Sequence, residues 1–228
     1  FFPENGQRNV NQYRYFLSGG ELFSFKPRFV LENEQLKLIP LPAVSYDELP
    51  TFFQTPENYL TYESFLPDSE YGPVNFSFPY TFSLVRASSQ EQTINWLLNK
   101  PSWEKFLRPG HPTRAFELTT AIIDAFMDEC VLRNKRCLVI LFPSPSSFAW
   151  YQEQQTLITQ PLIDHLTAEG TELIALTPTI TKMLGDESFC ELLTKPNRCV
   201  GHFNNRGNQM IADIVAAYLQ QLNWLTQK

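Results

Sequence analysis

One of the three histidines in this 228-residue chain stands where chemistry is easiest to build. Gly201-His202-Phe203-Asn204-Asn205-Arg206-Gly207-Asn208 is a polar stretch that runs straight into Gln209-Met210-Ile211-Ala212-Asp213-Ile214-Val215-Ala216-Ala217-Tyr218-Leu219. In that run Ile211, Ile214, Val215, Tyr218 and Leu222 recur at helical spacing, which puts His202 at the mouth of a helix. An imidazole held by backbone on one side and open to solvent on the other is placed as a general base near neutral pH must be. The same residues have a plainer reading, in which Gly201 and Asn204 build a turn and a cap and His202 is a solvated loop residue.

The cysteines offer less. Cys130, Cys137, Cys190 and Cys199 show neither Cys-x-x-Cys spacing nor interleaved histidines, so no zinc site is expected, and no cofactor motif accompanies them. Cys130 falls on a helical pattern and Cys137 opens an apolar run, so both read most simply as core residues. Cys190 and Cys199 flank a short loop and could close a disulfide in an oxidising compartment, a point that spacing leaves open.

Composition bounds the function. Hydrophobic content of 43% and aromatic content of 14% are those of a globular protein. A net charge of −6, with 18 scattered Lys and Arg, argues against a nucleic-acid surface, which needs clustered cations. No apolar run reaches the length of a spanning helix. The chain opens Phe1-Phe2-Pro3-Glu4-Asn5 rather than on Met, which reads as a buried strand end breaking into a loop and implies an upstream piece.

The elements that must position His202 follow from pattern. Residues 4 to 16 are asparagine-rich and pass into a short helix. Arg28 to Leu31 and Leu36 to Ile39 are β-prone runs around Glu32-Asn33-Glu34-Gln35, a hairpin ended by Pro40 and Pro42. From Ala43 to about Gly110 the text is rich in aromatics and proline, and reads as an inserted cap packed on the main body, with one or two helices near Leu84 to Leu98. Leu118, Ile122, Phe126 and Cys130 step along a helix ending near Arg133 to Arg136. Cys137 to Phe142 is an unbroken apolar run closed by Pro143, the mark of a strand buried on both faces. Pro161 to Leu166 is a helix stopped by Gly170, and Glu172 to Thr177 is the next strand, stopped by Pro178. Helix and strand in alternation predict an α/β layered fold with a parallel sheet. Its ligands are then expected at the carboxyl ends of the strands, where Ser144, Ser146, Ser147, Thr177 and the His202 loop emerge.

At these residues the chain resembles an SGNH/GDSL-type hydrolase. The Gly-His-Phe-Asn-Asn-Arg-Gly-Asn block before an Ile/Ala/Val helix looks like that superfamily's last block, in which the histidine activates a serine. The strand Leu138 to Pro143 and the hairpin through Arg28 and Leu38 also look like members of it, and Asn5 sits where the family has an asparagine that helps form the oxyanion hole. The resemblance implies a single α/β domain over residues 1–228 with a three-layer, flavodoxin-like parallel sheet, interrupted by the hairpin and cap at about 23–110. It implies an ester hydrolase with a serine nucleophile, His202 as general base, Asn5 as oxyanion donor and no cofactor. The substrates implied are small-molecule, carbohydrate or lipid esters, in a bacterial envelope or secreted setting.

Two departures accompany it. The family's Gly-Asp-Ser nucleophile turn does not occur in the chain, and Ser18-Gly19-Gly20 follows a polar helix rather than a buried strand, so the serine is expected upstream. The aspartate usually found three residues before the histidine is replaced by Cys199, which leaves a backbone carbonyl, water, Asp186 or Glu187 to orient the imidazole. A module that binds glycan or acyl chains without chemistry is the alternative. A flavodoxin-like nucleotide domain ranks last, because Pro143-Ser144-Pro145 lacks the N–H donors a phosphate loop requires.

Overall fold

The computed structural model describes residues 1–17, 24–90, 93, 94, 97 and 104–225. Ser18-Gly19-Gly20 and part of the helix expected over Leu84 to Leu98 lie outside the described residues. The protein is mixed α/β and divides into two compact units, Glu4–Asp128 and Phe1–Pro3 with Glu129–Lys228.

The first unit starts with two short helices, α1 (Asn5–Asn9) and α2 (Arg14–Leu17). A bridge between Tyr13 and Phe25 then brings the chain back antiparallel to itself. The expected hairpin is present as β1 (Arg28–Glu32) and β2 (Gln35–Ile39), paired from Arg28↔Ile39 to Glu32↔Gln35. Its turn is tighter than the predicted four residues, because Asn33 and Glu34 take φ of 51° and 62°. Two left-handed residues make the turn whose twist matches the strands. Helices α3 (Leu49–Gln54), α4 (Tyr80–Ser89) and the first part of α5 (Ala115–Leu132) complete this unit.

Some of its aromatic residues fill its own interior, while Tyr46, Phe76, Phe78, Tyr80 and Phe82 are exposed. Tyr13 stacks on Phe25 at 4.5 Å between ring centroids and meets Phe16 and Phe52 edge-on at 4.9 and 5.2 Å. Phe65, Tyr71, Phe106 and Leu118 close the cluster. Such pairs add to area burial, which is why a proline-rich stretch with weak periodicity still packs a core.

The second unit carries β3 (Val139–Leu141), α6 (Pro145–Gln154), α7 (Gln160–Ala168), β4 (Leu173–Ala175), α8 (Leu176–Leu184), β5 (Leu193–Lys195), β6 (Val200–Phe203) and α9 (Asn205–Gln221). β3 and β4 are parallel, with Val139↔Leu173 to Leu141↔Ala175 in register. On the other side of β3 the Phe1 nitrogen donates to the Ile140 carbonyl at 2.7 Å, and the Phe142 nitrogen donates to the Phe1 carbonyl at 2.8 Å. That is the bonding of one further parallel residue. The ladders described are two-stranded, shorter than a flavodoxin-like sheet.

Two expectations are corrected here. Glu172 to Thr177 does not stay extended. The strand ends at Ala175 and turns directly into α8, with Thr177 and Pro178 in its first turn, where a missing N–H costs no helical bond. Cys130 and Cys137 are not free core thiols but a disulfide, with Cα atoms 6.2 Å apart. Asn134, at φ 53°, doubles the chain back after α5, and the Lys135 nitrogen donates to the Cys130 carbonyl at 2.8 Å. The two sulfurs are thereby brought face to face.

The core of this unit is Phe148, Leu176, Ile180, Leu184, Phe189, Leu192, Leu193 and Ile214. It packs α8 and α9 beneath the segment that carries His202.

Candidate functional site

His202 lies on β6 and not in a free loop. β6 pairs antiparallel with β5, Leu193 opposite Phe203 and Lys195 opposite Val200, with an irregularity between. The connection is a short 3-10 turn, Pro196–Arg198, followed by Cys199 at φ 52°. Cys199 is bonded to Cys190, with Cα atoms 4.6 Å apart, so the turn end of the hairpin is stapled to the segment just before β5. Gly201 takes φ 105°, and a Cβ there would strike the Thr194 side chain, so glycine is required next to the histidine.

The other end is clamped by Asn204. Its side-chain oxygen accepts from the Gly207 nitrogen at 3.0 Å, capping α9, while its side-chain nitrogen donates to the Glu191 and Leu193 carbonyls at 2.8 and 3.1 Å. Its backbone nitrogen donates to the Leu192 carbonyl at 2.8 Å. Gly207 is buried, and a Cβ on it would lie 2.6 Å from the Leu192 oxygen and 2.8 Å from Phe203 Cδ1. The cap reading of Asn204 is thus correct, while Gly201 lies inside β6 rather than in a turn, and the two together hold His202 in place.

The imidazole itself is exposed and, among the described residues, makes no hydrogen bond or ion pair. Cys199 cannot act as its acid partner while bonded to Cys190. Glu187 is engaged by Arg206, and Asp186 is exposed. What this arrangement supplies is an accessible proton acceptor on a rigid frame, with no carboxylate fixing its tautomer among the described residues. Asn5, the expected oxyanion donor, is the first residue of α1 and belongs to the other unit.

The serines expected at the strand end are occupied. Ser144 caps α6, its backbone nitrogen donates to Ser147 Oγ at 2.8 Å, and Ser147 Oγ donates to the Ser144 carbonyl at 3.0 Å. Both are buried. With Thr159 and Thr177 they lie at the carboxyl ends of β3 and β4, where a cavity of about 10 Å³ lined by Ser147, Thr159 and Thr177 holds room for a single water.

Sequence reasoning missed the double clamp. A Cys at each end of a nine-residue separation and an asparagine just before a helix were both visible, but only the fold shows that they grip the same hairpin.

No protein-family model, curated protein or solved structure matches this chain. No helix among the described residues is long and apolar enough to cross a membrane.

Proposed function

We propose that this chain is the histidine-bearing part of an SGNH-type serine ester hydrolase with a three-layer α/β/α sheet. The observation that carries the reading is the exposed His202 on β6, clamped one residue before the Phe203-Asn204 entrance to α9. In support stand the parallel β3–β4 pair joined through helices and the glycines at 201 and 207 that the local backbone demands.

In this reading the serine comes from sequence outside residues 1–228. His202 takes the serine proton as its oxygen attacks the ester carbonyl, and the tetrahedral oxyanion is met by hydrogen-bond donors beside the serine. His202 then protonates the leaving alcohol, and water, activated by the same imidazole, releases the acid from the acyl-serine. Substrates are carbohydrate or lipid esters. An oxidising, extracytoplasmic setting belongs to the reading, and the two disulfides support it.

The test is a fluorophosphonate probe and p-nitrophenyl butyrate on the full-length gene product. One labelled serine and turnover lost in His202→Ala, with unchanged circular dichroism, are expected; the absence of both adduct and turnover overturns the proposal.

One observation favours a second reading, a glycan- or acyl-binding module without chemistry. The position where the family carries its acid is a disulfide-bonded cysteine. Saturable binding of an acylated oligosaccharide that survives His202→Ala, in a protein that never labels, would establish it.

A further inference from the structure

Although Lys and Arg are scattered along the sequence, the first unit gathers several of them. The bridge Tyr13↔Phe25 sets residues 12–14 against 24–26, with the Arg14 nitrogen donating to the Ser24 carbonyl and the Lys26 nitrogen to the Gln12 carbonyl, each at 3.0 Å. Tyr13 and Phe25 point into the aromatic core. Arg14, the first residue of α2, and Lys26 each follow this bridge directly, on backbone segments bonded to one another. The end of α1 adds Arg8, whose carbonyl accepts a hydrogen bond from Lys26 Nζ.

Among the described residues, no carboxylate pairs with these three cations. Arg8 and Arg14 make no side-chain hydrogen bond or ion pair among the described residues. Lys26 gives one N–H to the Arg8 carbonyl and keeps two. The acid whose charge acts on Lys26 is Glu63, and it is spent. Its carboxylate accepts from the backbone nitrogens of Gln12, Tyr13 and Phe65 at 2.6, 2.8 and 2.9 Å and from Asn11 Nδ2 at 3.2 Å. Arg28, the fourth cation, is buried and committed to the Val10 and Tyr62 carbonyls. Burial and the charges of Arg28, Arg14 and Arg8 pull the Lys26 ammonium down to about 8, against which Glu63 pulls the other way. On a protein of net charge −6, three cations without an ion-pair partner among the described residues are a local reversal of sign.

From this juxtaposition we infer that Arg8, Arg14 and Lys26 form a binding site for a phosphate dianion, either inorganic phosphate or the terminal group of a phosphate monoester. Two guanidiniums and an ammonium match a doubly charged tetrahedral group better than a carboxylate or a sulfate ester, each of which carries a single charge. Guanidiniums supply paired donors to phosphate oxygens, and the ammonium supplies a point charge. Binding brings Lys26 back toward its ordinary value and therefore takes up protons near pH 8. The site is independent of the His202 reading.

The experiment uses the full chain in low-salt buffer and titrates inorganic phosphate against sodium chloride of equal ionic strength. Calorimetry and the thermal midpoint are followed together. Saturable phosphate binding is expected, with proton uptake at pH 8, weakening as the pH falls below 6 and the dianion is lost. Arg14→Gln and Lys26→Met should each lower affinity about tenfold or more; Arg14 is a surface side chain, so its variant reports even if Lys26→Met folds poorly. Glycerol phosphate and vesicles containing phosphatidate separate the two sources. Binding of the soluble ester without pelleting on vesicles assigns a soluble phosphate monoester, and pelleting that free phosphate competes away assigns a lipid headgroup. Phosphate acting no differently from chloride, or both variants binding as the parent does, overturns the proposal.

Discussion

Cys190 and Cys199 are bonded to each other across the hairpin whose second strand presents His202, with their Cα atoms 4.6 Å apart. Cross-linking a loop of this length removes about 2.5 kcal/mol of freedom from the unfolded chain. The double variant Cys190→Ala/Cys199→Ala should therefore lose about that much stability in a denaturant titration. Reductant, which also opens Cys130–Cys137 in both proteins, should bring parent and variant to one common, lower midpoint. A midpoint that does not move would mean the hairpin is held by Asn204 and the Leu193↔Phe203 pairing alone.

Glu34 sits in the left-handed region of the β1–β2 turn at φ 62° and bonds Arg114 at 2.7 Å. The strained backbone costs a residue with a Cβ about 1 kcal/mol or more, and glycine removes that cost. The ion pair is exposed on both sides and contributes at most about 1 kcal/mol. The backbone gain meets or exceeds the lost pair, so Glu34→Gly should be neutral to stabilising by up to about 0.5 kcal/mol. High salt should shift the balance further toward the variant. A clear loss of stability would show that the Arg114 contact carries more than a surface pair ordinarily does.

How much of this was legible in the sequence depended on how local the cause was. The hairpin, the helix after Asn204 and the apolar strand at Val139–Leu141 follow from side-chain period and turn residues within a few positions of one another. The end of β4 was misplaced because Pro178 looks like a stop when read alone, yet in the first turn of a helix it is tolerated. Cys130 and Cys137 were misread because the left-handed Asn134 that brings them together has no side-chain signature strong enough to announce it. At the candidate site, His202, its glycines and its cap could be named from the block they form. The Cys190–Cys199 pair was open on spacing and is closed in the structure, while the engagement of Glu187 by Arg206 had no local signal. The cation cluster was invisible for the same reason: Arg8, Arg14 and Lys26 meet only through the Tyr13↔Phe25 bridge.

Lys26 makes stability depend on pH in a known direction. Its folded value is about 8 and its ordinary value 10.5, so between those limits the unfolded chain binds more protons than the folded one. The penalty is fully present below pH 8 and fades as pH rises through that window. Arg28, Arg14 and Arg8 set the penalty with burial, and Glu63 opposes it. The unfolding free energy of the parent should therefore climb relative to that of Lys26→Met between pH 8 and 10, and the climb should flatten in saturating phosphate. Parallel curves for the two proteins would dispose of the argument.

Asn204 gives the sharpest discrimination, because it uses both halves of its amide. The oxygen caps α9 through Gly207, and the nitrogen donates to the Glu191 and Leu193 carbonyls. On a helix-capping scale Asp and Asn are nearly equal, and an aspartate gains from the helix dipole. If Asn204 were only a cap, Asn204→Asp would be neutral and Asn204→Ala would cost about 1 kcal/mol. With two carbonyls facing the nitrogen, Asp places an anionic oxygen against two acceptors and leaves both unsatisfied, a cost of about 1 to 3 kcal/mol that outweighs the dipole gain. The expected order of stability is therefore Asn above Ala, with Asp no better than Ala, measured by chemical denaturation at pH 7. Asp matching Asn would reduce the residue to an ordinary cap and leave the disulfide as the chief constraint on His202.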